Sequence, residues 1–491
     1  MKRFGLRIHV LCGIGCFLFT FVAYASETNL DGTLARQPIE MTLADAVHLA
    51  VRHNRTIQSA YLDRVIQKFD LRVAEDKFFP DINVTGSVER AEGINKDDAV
   101  GNNTVTTEDS AGGKIEITET IPTGGTFSFA WTRSDQWTEA NTTEEEDLQI
   151  AFTQPLLKNF GIDVNTGSVD IARLEEQKNI LLLQETLIDT ITSVINAYRS
   201  FLQTQKEVDI LKASLDRSKS LLQINRYLIA AGRMASMEMI QTQADIAQKE
   251  FDYETARNTL TSMRLSLLKL LDIDKHTRIR AKDESIESLQ IPDLDDSLAL
   301  AYANRPDYLT AIFNLLVSDI NLKLASNNKR WTLDFTSSYS YRLSGDERGN
   351  ADWRAGLELS IPLYGDLTRE QSIVDAKITQ KKEKLSFQEK KDNVDMDVRD
   401  TIQNAHTKFK QLKLAKLARE LSEKKLEIEE QKMKVGRSSN FTLVTFQNDL
   451  VDAENNELMA RIDLFNALTN LDQTLGTTLK TWNIKLKEDQ K

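Results

Sequence analysis

Two stretches of this chain have the hydrophobic spacing of very long helices. Leu187, Ile191 and Val194 step by four and three residues, which places them on one helix face. A longer series with the same steps comprises Phe446, Leu450, Ala453, Glu457, Ala460, Leu464, Ala467 and Leu471. No proline occurs between residues 156 and 291 or after 362, as helix interiors require. These features predict long helices with coiled-coil packing, over residues 167–230, 235–271, 367–434 and 440–474.

Six shorter stretches alternate between apolar and polar residues, which is typical of strands with two different faces. In one of them Ile115 and Ile117 alternate with Glu116 and Thr118. The predicted strands cover residues 82–90, 113–121, 125–134, 147–154, 332–342 and 353–361. The polar stretches 92–112 and 135–146 are predicted to be exposed loops.

The alternation alone fits two kinds of sheet. Strands of about 9–11 residues with one apolar face suit a transmembrane barrel with a wet interior, but they also suit a half-buried soluble sheet. Aromatic residues near the strand ends favour the membrane, because such side chains gather at membrane interfaces. The residues concerned are Trp131, Trp331, Trp353, Tyr339 and Tyr341. No segment after residue 25 is expected to form a transmembrane helix, so any membrane span must be built from strands.

The chain contains an internal repeat. Leu43, Asp45 and Ala46 have counterparts in Leu294, Asp296 and Ser297, and the dipeptide Gly232-Arg233 returns as Gly436-Arg437. The sequence therefore predicts a first repeat over 26–291, a second over 292–479 and a tail over 480–491, each repeat opening with a helix. The first repeat is 47 residues longer, because the two markers are offset by 294 − 43 = 251 and 436 − 232 = 204 residues. This length matches one added β-hairpin.

The first 25 residues have the composition of a secretory signal peptide. Basic residues precede the apolar run Ile8–Val22, and Ala23-Tyr24-Ala25 is a small-residue cleavage site. Both cysteines, Cys12 and Cys16, lie within this segment, so the mature chain is predicted to have no thiol or disulfide chemistry.

The net charge argues against a nucleic-acid partner. It is −12 for the full chain, and removing the three basic residues of residues 1–25 gives −12 − 3 = −15. Nucleic-acid binding needs a basic face, whereas an acidic channel favours cations.

No candidate for enzymatic chemistry emerges from the sequence. His48 and His53 are five residues apart, which is poor for a shared metal, and His276 and His406 are isolated. There is no phosphate-binding loop and no nucleophile motif. The chain is therefore predicted not to be an enzyme, and no cofactor or metal is expected.

Several segments together resemble the TolC-like outer membrane efflux protein family. These segments are Met41–Ala46 with Asn54, Asn304-Arg305-Pro306-Asp307-Tyr308, Thr153–Leu157, Leu359–Tyr364, and Gly436 through Gln447 to Ala453. The resemblance covers essentially the whole mature chain. It implies a mixed α/β membrane protein: a homotrimer whose pooled strands form an outer-membrane barrel, continuous with a long periplasmic α-helical barrel. Members have four strands per chain, so the extra hairpin leaves open a twelve-strand barrel with an external hairpin or an eighteen-strand barrel.

The resemblance also assigns roles to residues at the far ends of the helices. Gly232, Arg233, Gly436 and Arg437 would form tips that contact a periplasmic adaptor protein, which bridges to an inner-membrane pump. Some members narrow this end with rings of Asp, and the corresponding positions here are Glu238, Gln241, Thr442 and Thr445. A Glu238 ring would be acidic, while a solvated surface Glu explains the residue equally well. Glycine itself is expected at a turn that needs positive φ.

The function predicted from these observations is a passive exit duct in the outer membrane of a Gram-negative bacterium. It would carry substrates from a tripartite efflux or secretion system, with the energy supplied by its partners. Two alternatives stay open: a type I protein secretion duct, and a non-conducting structural coiled-coil protein of the outer membrane.

Overall fold

The computed structural model describes residues 38–97, 102–138, 141–283, 291–344, 349–364, 367–435 and 437–486. The predicted signal peptide, Gly436 and the last five residues of the predicted tail lie outside the described residues. The helices are α1 (Leu43–His53), α2 (Arg55–Glu75), α3 (Ile162–Asn165), α4 (Gly167–Ala230), α5 (Met237–Leu270), α6 (Leu294–Asn304), α7 (Pro306–Asn328), α8 (Leu367–Lys434), α9 (Asn440–Thr474) and α10 (Thr478–Thr481). The strands are β1 (Ile39–Met41), β2 (Asp81–Asp97), β3 (Asn102–Thr120), β4 (Thr126–Thr138), β5 (Thr142–Pro155), β6 (Ile279–Ala281), β7 (Thr332–Ser344) and β8 (Asn350–Ser360).

Long helices make up most of the molecule. With 64 and 68 residues, α4 and α8 are each about 100 Å long at ~1.5 Å per residue. The shorter α5 returns along α4, and α2 packs along α4 as well; α9 and α7 accompany α8 in the same way. The result is two helical hairpins of similar construction, one from each predicted repeat.

Six strands form a single antiparallel sheet in the order β2-β3-β4-β5-β7-β8. Strands from both predicted repeats are therefore neighbours, because β5 pairs with β7. A second, small sheet pairs β1 with β6 in parallel. It is fixed to α4 by Tyr198, whose hydroxyl donates to the Met41 carbonyl at 2.8 Å and accepts from the Lys282 N–H at 3.0 Å.

The main hydrophobic core lies midway along α4, where α1, α2, α5, α9 and the small sheet of β1 and β6 meet it. Leu187, Ile191 and Tyr198 are fully buried there, and they pack in one cluster with Val47 of α1 and Leu267 of α5. The predicted series of apolar residues in α4 is therefore the face that joins the first hairpin to the chain's N-terminal part.

The prediction of exposed loops over residues 92–112 and 135–146 is wrong for most of both ranges. The strands continue through them: β2 extends to Asp97, β3 begins at Asn102, and only residues 98–101 and 139–141 lie between the paired strands. Cross-strand ion pairs replace apolar contacts in this part, with Arg90 Nε 2.6 Å from Asp109 Oδ1 and Arg133 Nη1 3.1 Å from Glu146 Oε1. Backbone pairing needs no apolar side chains, which is why polar composition alone misplaced the strand ends.

The expectation that no helix could cross a membrane is also corrected. Gly167–Ala230 and Pro306–Asn328 each contain an 18-residue window of mean hydropathy 1.2, sufficient by length and composition. This is weak evidence for a span, since buried core helices pass the same test. The window in α4 is 44% buried and that in α7 only 6%, so α7 presents an apolar surface that this single chain leaves uncovered.

Candidate functional site at the helical tips and in the sheet

The first hairpin ends in a defined turn at Gly232. This glycine has φ +70°, and an added Cβ would meet no atom within 4 Å. Its N–H donates to the Ile229 carbonyl at 2.9 Å, and the Arg233 N–H donates to the Leu228 carbonyl at 2.8 Å. These two bonds form a Schellman motif, which ends a helix at a residue in the left-handed region. Arg233 is exposed just beyond it.

The second hairpin ends with the same kind of bond. The Arg437 N–H donates to the Lys432 carbonyl at 2.9 Å, five residues back as at the first tip, and Arg437 is exposed. Gly436, predicted to form this turn, lies outside the described residues. Helix α9 then starts from a Ser439 cap, whose Oγ accepts from the Thr442 N–H at 3.1 Å.

The predicted aperture residues lie on the first turns of the two returning helices, but they differ in exposure. Gln241 and Thr445 are exposed, whereas Glu238 and Thr442 are half-buried. The carboxylate atom Oε2 of Glu238 is buried without a hydrogen-bond partner among the described residues. Thr442 and Thr445 hydroxyls are occupied locally, by Ser439 Oγ at 2.8 Å and the Phe441 carbonyl at 2.9 Å.

Sequence reasoning missed a buried polar cluster that joins the two hairpins beside Glu238. It consists of Asn225 of α4, Thr242 of α5 and Asn440 of α9, all with at most 1% exposure. The Asn225 Nδ2 donates to Thr242 Oγ1 and to Asn440 Oδ1, each at 2.8 Å. The sequence did contain a signal for this cluster. Asn225 lies four residues after Leu221 and three before Leu228, so a polar residue occupies a position on the apolar seam of α4.

A second polar group lies further along the same hairpin. Lys249 Nζ is 3.0 Å from Asp245 Oδ2 and donates to Ser218 Oγ at 2.8 Å, and Ser218 Oγ donates to Asp245 Oδ2 at 2.8 Å. The Lys249 side chain is 9% exposed and the Asp245 side chain 13%. This compensated ion pair joins α4 to α5 within one hairpin, so it does not tie the two hairpins together.

The contact between α4 and α9 contains a widely spaced ion pair. Arg217 Nη2 lies 3.7 Å from Glu454 Oε2, which is too long for a good hydrogen bond. Burial raises the pKa of Glu454, and the nearby Arg217 offsets only part of this effect. Beside the pair, a groove of about 770 Å³ runs between α4 and the second hairpin, lined by Leu221, Leu228, Met433 and Leu443 among others.

Four of the five predicted interface aromatics lie on one face of the sheet. Tyr339 is directly opposite Trp353, and Trp131 and Tyr341 flank Leu148 in the next row. Trp331 lies apart, immediately before β7, where its carbonyl accepts from the Lys158 N–H at 3.1 Å. Trp353 and Trp331 are 76% and 54% exposed in the single chain.

No group of three or more His, Cys, Asp or Glu that could hold a metal ion occurs within the part of the chain that the structure describes.

The architecture of long helical hairpins joined to a two-faced sheet is that of the outer membrane channels. A family model described as "Outer membrane efflux protein" matches residues 46–272 and 298–477. The chain therefore belongs to the outer membrane efflux protein family, whose members are channels and not enzymes, and it is a protein of the outer membrane of a Gram-negative bacterium.

Solved outer membrane channels share this fold at low sequence identity. The CmeC channel of Campylobacter jejuni is 13% identical with a TM-score of 0.68, covering 89% of this chain and 86% of CmeC. VceC of Vibrio cholerae is 13% identical with a TM-score of 0.67, covering 88% and 96%. The open state of MtrE of Neisseria gonorrhoeae is 15% identical with a TM-score of 0.65, covering 89% of each chain. No curated protein sequence matches the chain significantly.

Proposed function

We propose that three copies of this chain form a passive exit duct, which carries substrates across the outer membrane from a periplasmic adaptor and an inner-membrane pump. One observation carries the proposal: a single chain joins a two-faced sheet to helices of about 100 Å with exposed tips. A sheet with open edges is intolerable in lipid. Three copies remove the edges by closing one barrel, and their hairpins continue it as a periplasmic tunnel.

The spacing of aromatic residues supports a membrane position for the sheet. Trp331 precedes Tyr339 by eight residues along β7, which at ~3.3 Å per residue is about 26 Å. With strands tilted about 40°, this separation spans roughly 20 Å of membrane height. Trp331 would lie at the periplasmic interface and the pair Tyr339–Trp353 towards the outer one, with Trp131 and Tyr341 beside them.

The tips offer a surface for an adaptor. Arg233 and Arg437 are exposed and each donates its N–H to the carbonyl five residues earlier, and neither side chain forms a hydrogen bond or ion pair with another of the described residues. An adaptor with acidic or carbonyl groups at its own tip would complement them. The turns would therefore act as docking segments, with Gly232 and Gly436 setting their shape.

Opening of the duct would require the two hairpins to separate at this end. The cluster of Asn225, Thr242 and Asn440 is the buried polar contact that such a motion must break, and Glu238 and Thr442 would move with it. Breaking buried hydrogen bonds costs free energy unless water or new partners replace them. Adaptor binding would supply the difference, as a shift from a closed to an open population.

Deletion of the gene in its native host tests this function against its alternatives. An efflux duct predicts accumulation of, and sensitivity to, at least one small toxic compound in a panel of dyes, antibiotics and metals. A type I secretion duct predicts loss of a secreted protein from the culture medium without such sensitivity. A structural protein predicts neither effect, and that result would contradict the proposal.

A further inference from the structure

The six strands of the main sheet share one apolar surface. One row of directly opposed residues crosses all of them: Ile82, Ile117, Phe129, Ile150, Tyr339 and Trp353. The adjacent row on the same face comprises Val84, Ile115, Trp131, Leu148, Tyr341 and Ala351. Every strand contributes one residue to each of the two apolar rows. The two strands of the added hairpin, whichever they are, therefore carry both rows as the other four strands do.

The opposite face is polar on the same strands, with Ala130 of β4 as the exception in the row nearest the aromatic residues. The row between the two apolar rows comprises Asn83, Glu116, Ala130, Gln149, Ser340 and Asp352. A hairpin lying outside the membrane has no reason to carry an apolar row at the height of its neighbours' lipid-facing residues. The pattern is therefore that of six strands with the same surroundings: lipid on one side and water on the other.

The apolar band also has the slope of tilted strands. On β2 it runs from Ile82 to Val88 with its centre at Thr85, and on β8 from Ala351 to Leu359 with its centre at Ala355. Following the paired residues across the sheet, Thr85 of β2 is in the same row as Asn350 of β8. The centre of the apolar band on β8 is instead Ala355, so the band shifts by 355 − 350 = 5 residues over five strand spacings. At ~3.3 Å per residue and ~4.8 Å per spacing this is a tilt of about 35°, the value of transmembrane barrels.

Among the residues that the structure describes, neither outer strand of the sheet has a neighbour on its far side. They are also the strands with the most exposed apolar side chains: Val84 and Val88 of β2 are 75% and 89% exposed, and Trp353 and Leu357 of β8 are 76% and 68%. Because the sheet has six antiparallel strands, β2 and β8 run in opposite directions. Pairing β8 of one copy with β2 of the next therefore continues the antiparallel ladder.

We propose that all six strands of each chain span the membrane and that three copies close an eighteen-stranded barrel, each junction formed by β8 of one copy and β2 of the next. This inference rests on the proposed trimeric duct and fixes the width of its outer-membrane part. Barrel diameter grows about linearly with strand number. Eighteen strands give a bore about 1.5 times wider than twelve, the class of barrel that leaves an open aqueous channel.

Engineered disulfides distinguish this arrangement from a twelve-stranded barrel in which the hairpin of β2 and β3 lies outside. Both natural cysteines lie in residues 1–25, so the mature chain provides a cysteine-free background. Thr85→Cys on the polar face of β2 is combined in turn with Asp352→Cys, Arg354→Cys, Gly356→Cys and Glu358→Cys on β8. The eighteen-stranded barrel predicts that at least one pair links copies into covalent dimers and trimers in non-reducing gels, since opposed residues of paired strands are within disulfide distance.

The competing arrangement makes its own prediction with the same β8 variants. If β2 and β3 lay outside the barrel, β4 would meet β8 of the next copy, and Thr132→Cys would form the intermolecular links instead. The control is Thr85→Cys with Lys114→Cys, which are opposed within one chain and must close a disulfide that adds no mass. Links from Thr132→Cys, or no intermolecular link in trimers where the control disulfide forms, would overturn the proposal.

The mass of the same samples separates this inference from the proposed duct. Native mass spectrometry of the unlinked protein reports the trimer independently of strand number. A trimer linked through β4 would contradict the eighteen-stranded barrel but not the trimeric duct. A monomer would contradict the proposed duct itself.

Discussion

Three buried polar side chains hold the helical hairpins together near their exposed tips. Asn225, Thr242 and Asn440 come from three different helices and exchange hydrogen bonds of 2.8 to 3.4 Å. Such a cluster stabilises less than apolar packing would, but it penalises any register in which its members lose their partners. The cluster therefore specifies the relative position of the two hairpins. Substituting one of its residues should loosen the tips of the hairpins before other parts of the molecule.

Replacing Asn225 with Ala removes both donors and leaves Thr242 and Asn440 short of partners in a buried site. We expect the contact between the hairpins to weaken by about 1–3 kcal/mol. Amide hydrogen exchange at the tips should then rise roughly 5- to 150-fold. Thr445→Ala is the matched control, because the Thr445 hydroxyl is exposed and bonds only within its own helix. Equal exchange in both variants would show that the cluster does not hold the hairpins.

Glu454 gives the contact between α4 and α9 a defined pH dependence. Burial raises the pKa of this carboxyl from its ordinary value of 4.5, Arg217 and Arg419 lower it in part, and Glu423 raises it. The folded state thus binds the proton more tightly than the unfolded state, so stability falls as pH rises from about 4.5 through the raised pKa. Glu454→Gln should flatten that part of the thermal-unfolding profile. Superimposable pH profiles of the two proteins would contradict this assignment.

At the scale of the elements, the turn at Gly232 ends a helix of 64 residues by a backbone conformation that β-branched residues avoid. With φ at +70°, Gly232→Val should strain the turn by about 1–2 kcal/mol, although nothing nearby obstructs the side chain. We expect the distorted tip to impair export, while trimer content in the outer membrane stays unchanged.

The matched control at this position is Gly232→Asn, because asparagine tolerates positive φ. It should keep export near the wild-type level in the same assay. If the Val and Asn variants export equally, the shape of this turn does not matter for docking.

The long helices could be predicted from the sequence, because apolar residues every three or four positions and the absence of proline leave few alternatives. The existence of six strands could be predicted from the alternation of apolar and polar residues. The ends of the strands could not be predicted in this way. Arg90–Asp109 and Arg133–Glu146 extend the pairing with charged residues, so polarity did not mark a loop. The added hairpin was predicted from the offset between repeats, but its place within the sheet depends on β3 pairing with both β2 and β4, which no local pattern contains.

The candidate site was predictable only in part. The Gly-Arg tips are marked by their repetition, and the structure shows the Gly232 turn and exposed arginines at both tips. The Asn225 cluster forms between residues up to 215 positions apart, and its members are buried only because two hairpins meet. The one local sequence signal for this cluster was an asparagine, Asn225, at a seam position of a helix. Its partner Asn440 has no comparable signal apart from its position at the start of a helix.

At the scale of the whole molecule, the described part of the single chain leaves sheet edges and apolar surface uncovered. Its sheet has two open edges, and the apolar window of α7 is only 6% buried. Both features are costly for an isolated chain, and both would be removed in the proposed trimer. The net charge of about −15 expected for the mature chain is compatible with an acidic lumen in the proposed channel, and such a lumen would favour cations.

The most direct test of this account is the single-channel conductance of the detergent-extracted protein in planar bilayers, with its native mass determined in the same preparation. We expect a trimer that conducts with a preference for cations, and whose conductance rises when Asn225→Ala weakens the contact at the tips. A monomer, or a trimer that stays silent even after the tips are removed, would contradict a duct and favour a structural role in the outer membrane.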